Sequence, residues 1–265
     1  SETVFWLFGG VHQPALGLKG SRPSVLFEHS GYAILRSRRV SAFFDCADLG
    51  YGPIAAHGHA DCLSLCLNVD GHPVLIDSGT YDYFTYPDWR TYFRETRAHN
   101  TAEIDGISQS QSLGPFMWGQ RANASLIEWA DDDSSVYVCG PHDGYSRLKD
   151  SVYHKRAIQL DKKANVITLT DIFEAQKAHS AALYFHFDPS CHLQYLNDQS
   201  LTIICPFGTL QLTTQRGKMQ RLMSTNSLGP GWISEGYHEK KPTLCIVNRF
   251  QVSGTTKNTC TFSFL

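Results

Sequence analysis

"LSLCLNVDGHPVLID" (residues 63–77) sets an Asp-Gly pair between two apolar runs. A two-residue turn between antiparallel strands needs left-handed backbone at its centre, which Asp-Gly supplies, so the stretch reads as a β-hairpin turning at residues 70–71. Strand signals extend on both sides. "GYAILRSR" (31–38) and "VSAFFDC" (40–46) are successive strands, and "KRAIQLDKKANVITLTDIF" (155–173) is a second hairpin with residues 161–165 as its turn. "AALYFHF" (181–187), "LTIIC" (201–205), "GTLQLTT" (208–214), "TLCIVNRF" (243–250) and "TCTFSF" (259–264) add further strands. Helical periodicity is scarce; "YPDWRTYFRETRAH" (86–99) is the best candidate for a short helix or an ordered loop. Many short strands with few crossover helices predict antiparallel sheets packed as a large β-sandwich. No internal repeat or clear linker interrupts it. A looser break is expected near 130–134, "ADDDS".

The 265 residues are 42% hydrophobic and 18% charged, values of an ordinary globular protein. A formal net charge of -2 gives no support to nucleic-acid binding. No apolar run approaches the roughly 20 residues a membrane helix needs. The start, "SETVFWLFGG", has neither an initiator Met nor the charged start and cleavage site of a signal peptide, so the chain reads as a piece of something longer. Among the eight cysteines no CxxC pair occurs, which argues against a cysteine zinc site. Cys62 and Cys66 lie about 13 Å apart along an extended strand, too far for a bridge. Cys191 and Cys205 can face each other across a hairpin centred near Asp198; small buried hydrophobes are the favoured reading of both.

Ionisable residues crowd the first hundred positions. In "HGHAD" (57–61), His57 and His59 leave the same face of extended backbone. Asp77 ends an apolar strand, an unusual place for a carboxylate without a partner, and His99 follows in "RAHNT". Two imidazoles and a carboxylate are an acceptable zinc set, although each His taken alone is more often structural. A strict two-residue turn would pair Asp77 with Ser64 and leave His59 roughly 17 Å away if extended, so the metal reading needs 57–61 to curl back, which Gly58 could permit. Arg90, Arg94 and Arg97 share one face of a helix, interleaved with Trp89, Tyr92 and Phe93. Guanidinium forks beside rings suit acidic sugars; a solvated basic face is the plain alternative.

"HGHADCLSLCLNVDGHPVLIDSGTYDY" followed by "WRTYFRETRAHNTAEIDGISQSQ" resembles the C-terminal domain of heparinase II/III-like polysaccharide lyases. Weaker similarity continues through "YFHFDPS" and "ISEGYHEKKPTLCIV". The resemblance implies a large antiparallel β-sandwich over residues 21–265. In complete members it follows an N-terminal (α/α) toroid, whose tail residues 1–20 resemble, and the anionic polysaccharide lies between the two. It implies His57 as a catalytic histidine and one zinc ion on His59, Asp77 and His99, hence a curled 57–61 segment. Arg94 matches an arginine at the cleft edge. Arg90, Tyr81, Tyr83 and Tyr86 are possible substrate contacts. A periplasmic or secreted location is implied as well.

Uronate lyases remove the proton at C5, α to a carboxylate, and expel the C4 oxygen. The carboxylate charge must be neutralised, a base must take the proton and an acid must protonate the leaving oxygen. A histidine suits the base, and zinc would order the loops rather than activate water, since elimination consumes none. Two rivals stand beside this: a non-catalytic carbohydrate-binding sandwich, and a zinc hydrolase built on His59, Asp77 and His99. The chain alone is expected to show little or no lyase activity.

Overall fold

In the computed structural model, residues 22–222 and 228–265 are described; the expected toroid tail, residues 1–20, lies outside them. A five-stranded antiparallel sheet follows chain order: β1 (Val25–Phe27), β2 (Tyr32–Arg36), β3 (Val40–Asp45), β4 (Leu65–Val69) and β5 (His72–Leu75). The turn between β4 and β5 is Asp70-Gly71, both with positive φ (50° and 82°). Helix α1 (Pro87–Arg94) and a 3-10 turn (Thr96–Ala98) occupy the stretch read as a helix or ordered loop. The remaining strands are β6 (Ala102–Ile104), β7 (Ser112–Gly114), β8 (Met117–Trp118), β9 (Glu128–Asp131), β10 (Ser135–His142), β11 (Tyr153–Asp161), β12 (Val166–His186), β13 (His192–Leu196), β14 (Ser200–Cys205), β15 (Gly208–Thr214), β16 (Lys218–Leu222), β17 (Trp232–Gly236), β18 (Glu239–Pro242) and β19 (Cys245–Phe264). Ten of them form the second antiparallel sheet, along the path β13-β14-β15-β19-β12-β11-β10-β9, with β16 on β19 and β6 on β12. The ribbons β7–β8 and β17–β18 stand apart.

Period-two alternation explains how the sheets meet. β3 buries Val40, Ala42 and Phe44, and β4 buries Leu65, Leu67 and Val69. These join Ile158, Leu160, Ile167, Leu169 and Phe262 of the large sheet in one core, the packing of a β-sandwich.

Two expectations change. The segments read as separate strands around 166–187 and 243–264 belong to strands of 21 and 20 residues, β12 and β19, paired on both sides of one register shift between Ala175 and His179. The polar stretch 174–178 spans that shift: Glu174 and Ala175 still pair with β19, and Lys177 N–H donates to Asp150 Oδ2 (2.8 Å). The break expected near 130–134 is instead the turn between β9 and β10, where Asp132 Oδ1 accepts the N–H groups of Ser134 and Ser135. Cys191 and Cys205 do face each other beside the β13–β14 hairpin, sulfur to sulfur 3.2 Å, as buried free thiols.

A fully buried polar network crosses the core. Arg156 donates from Nε and Nη2 to the two oxygens of Asp171 (2.8 and 3.1 Å), and from Nη1 to the carbonyls of Leu63 (2.8 Å) and Asn100 (2.7 Å). Gly144 N–H donates to His142 Nδ1, so His142 donates from Nε2 to His154 Nδ1 (3.0 Å), and His154 from Nε2 to Asp171 (2.7 Å). Burial holds both imidazoles below their ordinary pKa, matching this neutral relay.

At the register shift, His179 is clamped by Asp105 (Nδ1–Oδ2 2.6 Å) and Asp150 (Nε2–Oδ2 2.9 Å). Hydrogen bonds to Asp105 and Asp150 raise its pKa above 6.5. The protonated clamp therefore stabilises fully below pH 6.5 and loses effect as pH rises through the raised value. His179 in turn lowers Asp150, and, with the Ser180 N–H, outweighs burial at Asp105, so the carboxylates' share fades only in acid. The stability difference between wild type and His179→Gln in urea unfolding should be larger near pH 5.5 than near pH 9. An equal difference at both would contradict the clamp.

Candidate functional site

The loop from β3 to β4 carries His57–Asp61, and its curl comes from Ala55 (φ 47°) and Leu63 (φ 63°) rather than from Gly58. Leu63 N–H donates to Asp45 O (2.6 Å) and Ser64 N–H to Asp61 O (2.9 Å), turning the segment back. Gly58 serves close approach instead: a Cβ there would sit 2.7 Å from Leu49 Cδ2 and 3.0 Å from Gly50 Cα. A register shift opposite Leu67 and Asn68 moves Asp77 one place along from the Ser64 pairing.

Asn100 ties this loop to both sheets. Its Nδ2 donates to the carbonyls of Leu65 and Ile76 (both 2.9 Å), its Oδ1 accepts His186 N–H (2.7 Å), and its own N–H reaches Ser64 Oγ (3.2 Å). His99 is thereby fixed beside the curled segment. Potential ligand atoms of His59, Asp61 and His99 lie within 4.8 Å of one another. Asp77 Oδ2 sits 2.7 Å from His99 Nδ1, while the buried His99 Nε2 has no well-formed hydrogen bond among the described residues, the Phe93 backbone lying by the ring. The expected residues His59, Asp77 and His99 are therefore neighbours, joined by Asp61.

Electrostatics divides the four. Burial, aided by the His99 charge, lowers His59 to about 3 and keeps it neutral. Burial alone would lower His99, but Asp77 beside it raises it to about 9. Asp77 is pushed up by burial and pulled further down by His99, ending below the ordinary carboxylate range. Burial raises Asp61, and burial together with Asp61 raises Asp45. Crowded carboxylates and a neutral imidazole form a donor set that a divalent cation would relieve.

His57 is exposed, with Tyr83 edge-on at 5.4 Å and Phe116 at 6.2 Å between ring centroids. Arg90 and Arg94 are buried beneath it (0% and 1% exposed), not at an open edge. Arg90 donates to Pro115 O and Ala56 O; Arg94 donates to Gly114 O (2.7 Å) and Gly58 O (3.4 Å) and lies 4.2 Å over Trp118. Burial, with the repulsion of Arg90, lowers Arg94 only to about 10, so it stays charged. Both brace the backbone on either side of His57, and Arg97 pairs separately with Glu95 (2.6 Å). Tyr83 borders His57, whereas Tyr81 is buried in an aromatic cluster on which the exposed Tyr86 stacks.

Asp61, Phe116 and Trp118 escaped the sequence reading. Asp61 stood in the quoted "HGHAD", but only the turn at Leu63 aims it inward; Phe116 and Trp118 arrive from a distant ribbon with no local signal.

Gly58→Ala should cost about 1–3 kcal/mol in urea unfolding, because its Cβ meets backbone at Gly50 as well as the Leu49 side chain. A neutral effect would contradict the close approach at His57.

The family model for "Heparinase II/III-like, C-terminal" matches residues 19–261. Comparison with curated proteins returned no significant match. Among solved structures, the chain is similar to the heparinase III BT4657 gene product (TM-score 0.74, 15% identity), covering 93% of this chain and 37% of that one. It is also similar to the heparan sulfate lyase HepC from Pedobacter heparinus (TM-score 0.75, 13% identity), covering 91% and 36%. The chain thus spans little more than a third of these relatives, and at such identity the likeness shows the shared β-sandwich. By the family match over residues 19–261, this chain belongs to the heparinase II/III-like C-terminal domain family.

Proposed function

We propose that this chain forms one wall of the catalytic cleft of a polysaccharide lyase that cuts an anionic, uronic-acid-containing polymer by β-elimination. The relatives named above make heparan sulfate the first substrate to try. The observation that carries the reading is the exposed His57, braced from below by Arg90 and Arg94 and set beside the group of half-buried His59 and Asp61 with buried His99. A toroid domain of the same protein would supply the other wall, and a polymer substrate suits a periplasmic or secreted enzyme.

In this reading His57 takes the C5 proton, and the electron pair left behind forms the C4–C5 double bond as the bond to O4 breaks. An acid from the facing wall returns a proton to O4. Tyr83, edge-on to His57, limits the ring's swing and borders the sugar. Arg90 and Arg94 hold the carbonyls of Ala56 and Gly58, so their contribution is to the position of His57. The converging donors His59, Asp61 and His99 would fit one zinc ion, with Asp77 on Nδ1 of His99 orienting that ring for coordination through Nε2; the crowded acids support the fit. When bound, zinc would neutralise these carboxylates and order the loops at His57.

Elemental analysis should find about one zinc per chain, lost in His99→Ala. Zinc absent from wild type, or retained unchanged in that variant, would contradict the site. In the longer protein that contains this chain, His57→Ala should abolish the ultraviolet-absorbing unsaturated ends produced from uronic-acid polymers while leaving unfolding unchanged, because an exposed His contributes little packing. The 265-residue chain alone should give little or none, since misplacing one group by about 1 Å costs about a hundredfold. An unimpaired His57→Ala on every polymer, or cleavage without unsaturated ends, would contradict elimination at His57.

A further inference from the structure

The β17–β18 ribbon lies against the tyrosine loop 78–86. Ser234 N–H donates to Ser78 O and His238 N–H to Tyr81 O, both at 2.8 Å. His238 Nε2 stands 2.6 Å from Oδ1 of the fully buried Asp82, whose Oδ2 accepts Tyr86 N–H at 2.7 Å. Lys240 completes the attachment: its Nζ lies over the rings of Tyr81 (4.3 Å) and Trp89 (4.4 Å) and donates to Tyr81 Oη (3.0 Å). Two side chains of the ribbon, His238 and Lys240, are thus spent on holding the loop.

What this attachment presents is Tyr237 at the ribbon's turn. Its ring is backed by His238 (centroids 4.1 Å, 20° between planes) and meets Tyr83 at 5.8 Å and 35°. Tyr83 in turn meets His57. Tyr237 is nevertheless 55% exposed, so it contributes little to the core. A cleft lined by Thr80, Tyr83, Ser234, Glu235 and Tyr237 runs between loop and ribbon. An aromatic ring supported on one face and open on the other, with hydroxyl and carboxylate groups at its rim, matches the two chemistries of a pyranose: an apolar C–H face and a polar edge. Little side-chain entropy is lost on binding, because the ring is already held.

We propose that the β17–β18 ribbon is a substrate-selecting strap of the cleft: Tyr237 and Tyr83 form a floor for the sugar ring next to the one that faces His57. His238, latched to Asp82, is the residue that positions Tyr237. The strap rests on the reading of His57 as a cleft residue.

Calorimetric titration of the 265-residue chain with a heparan sulfate tetrasaccharide tests it. Tyr237→Ala should weaken binding about tenfold, the order of loss for an aromatic anchor, and Tyr237→Phe should retain it. His238→Ala should weaken binding similarly, and His238→Gln, which keeps a donor toward Asp82, should restore most of it. Tyr195→Ala, at an exposed tyrosine of β13 on the large sheet, should bind as wild type. Near-ultraviolet circular dichroism confirms that each variant is folded. No binding by the wild-type chain, equal affinity of wild type and Tyr237→Ala, or equal losses in the two His238 variants would overturn the strap. None of these outcomes touches His57, whose role is read from unsaturated product in the longer protein.

Discussion

The ion pair of Arg156 and Asp171 lies at the centre of the sandwich, and both loops of the candidate site hang from it. A guanidinium and a carboxylate without solvent are tolerated only when their hydrogen-bonding capacity is filled, and removing one partner from such a pair costs about 3–5 kcal/mol. Here Asp171 takes two bonds from Arg156 and one from His154, while the remaining reach of Arg156 goes to two carbonyls. One belongs to Leu63, the left-handed residue that curls the His57–Asp61 segment; the other belongs to Asn100, next to His99. A single side chain of the large sheet therefore sets the distance between the two halves of the site.

The same device recurs toward solvent. Arg90 and Arg94 hold the carbonyls of Ala56 and Gly58 as Arg156 holds those of Leu63 and Asn100. Loops cannot pack as sheets do, so their backbone acceptors need donors from elsewhere, and long guanidinium arms supply them. In consequence His57 is an exposed side chain on a restrained backbone, and His59 and His99 belong with Asp61 to a group whose potential ligand atoms lie within 4.8 Å of one another. Rigid support under an accessible side chain is what the proposed cleft wall would need.

Much of the fold was legible in the sequence because its signals are local. Asp70-Gly71 and the 161–165 turn announce their hairpins, and alternation in β3 and β4 names their buried faces. The long strands were not legible as such, since a polar stretch at 174–178 looks like a loop until β19 is known to pair on both sides of it. At the site, "HGHAD" and "RAHNT" contained the converging residues, and family resemblance assembled them. The curl of 57–61 was expected to draw on the freedom of Gly58, because propensity favours glycine, whereas the left-handed residues are Ala55 and Leu63, held by tertiary hydrogen bonds. Arg90 and Arg94 were read as facing ligand because a helix face of arginines looks the same whether it meets water, an anion or buried carbonyls. Arg156 and Asp171 gave no sequence signal at all: each is one polar residue in an alternating strand, and their pairing appears only when β11 and β12 align.

Amide hydrogen exchange in Arg156→Lys tests the anchoring most directly. Lysine keeps the positive charge beside Asp171 but lacks the fork that reaches two carbonyls at once. Protection should fall at residues 60–65 and 96–101 and remain at wild-type level in the β14–β15 hairpin. Unchanged protection in both loops, or a loss spread evenly over the sandwich, would contradict the claim that Arg156 holds the candidate site together.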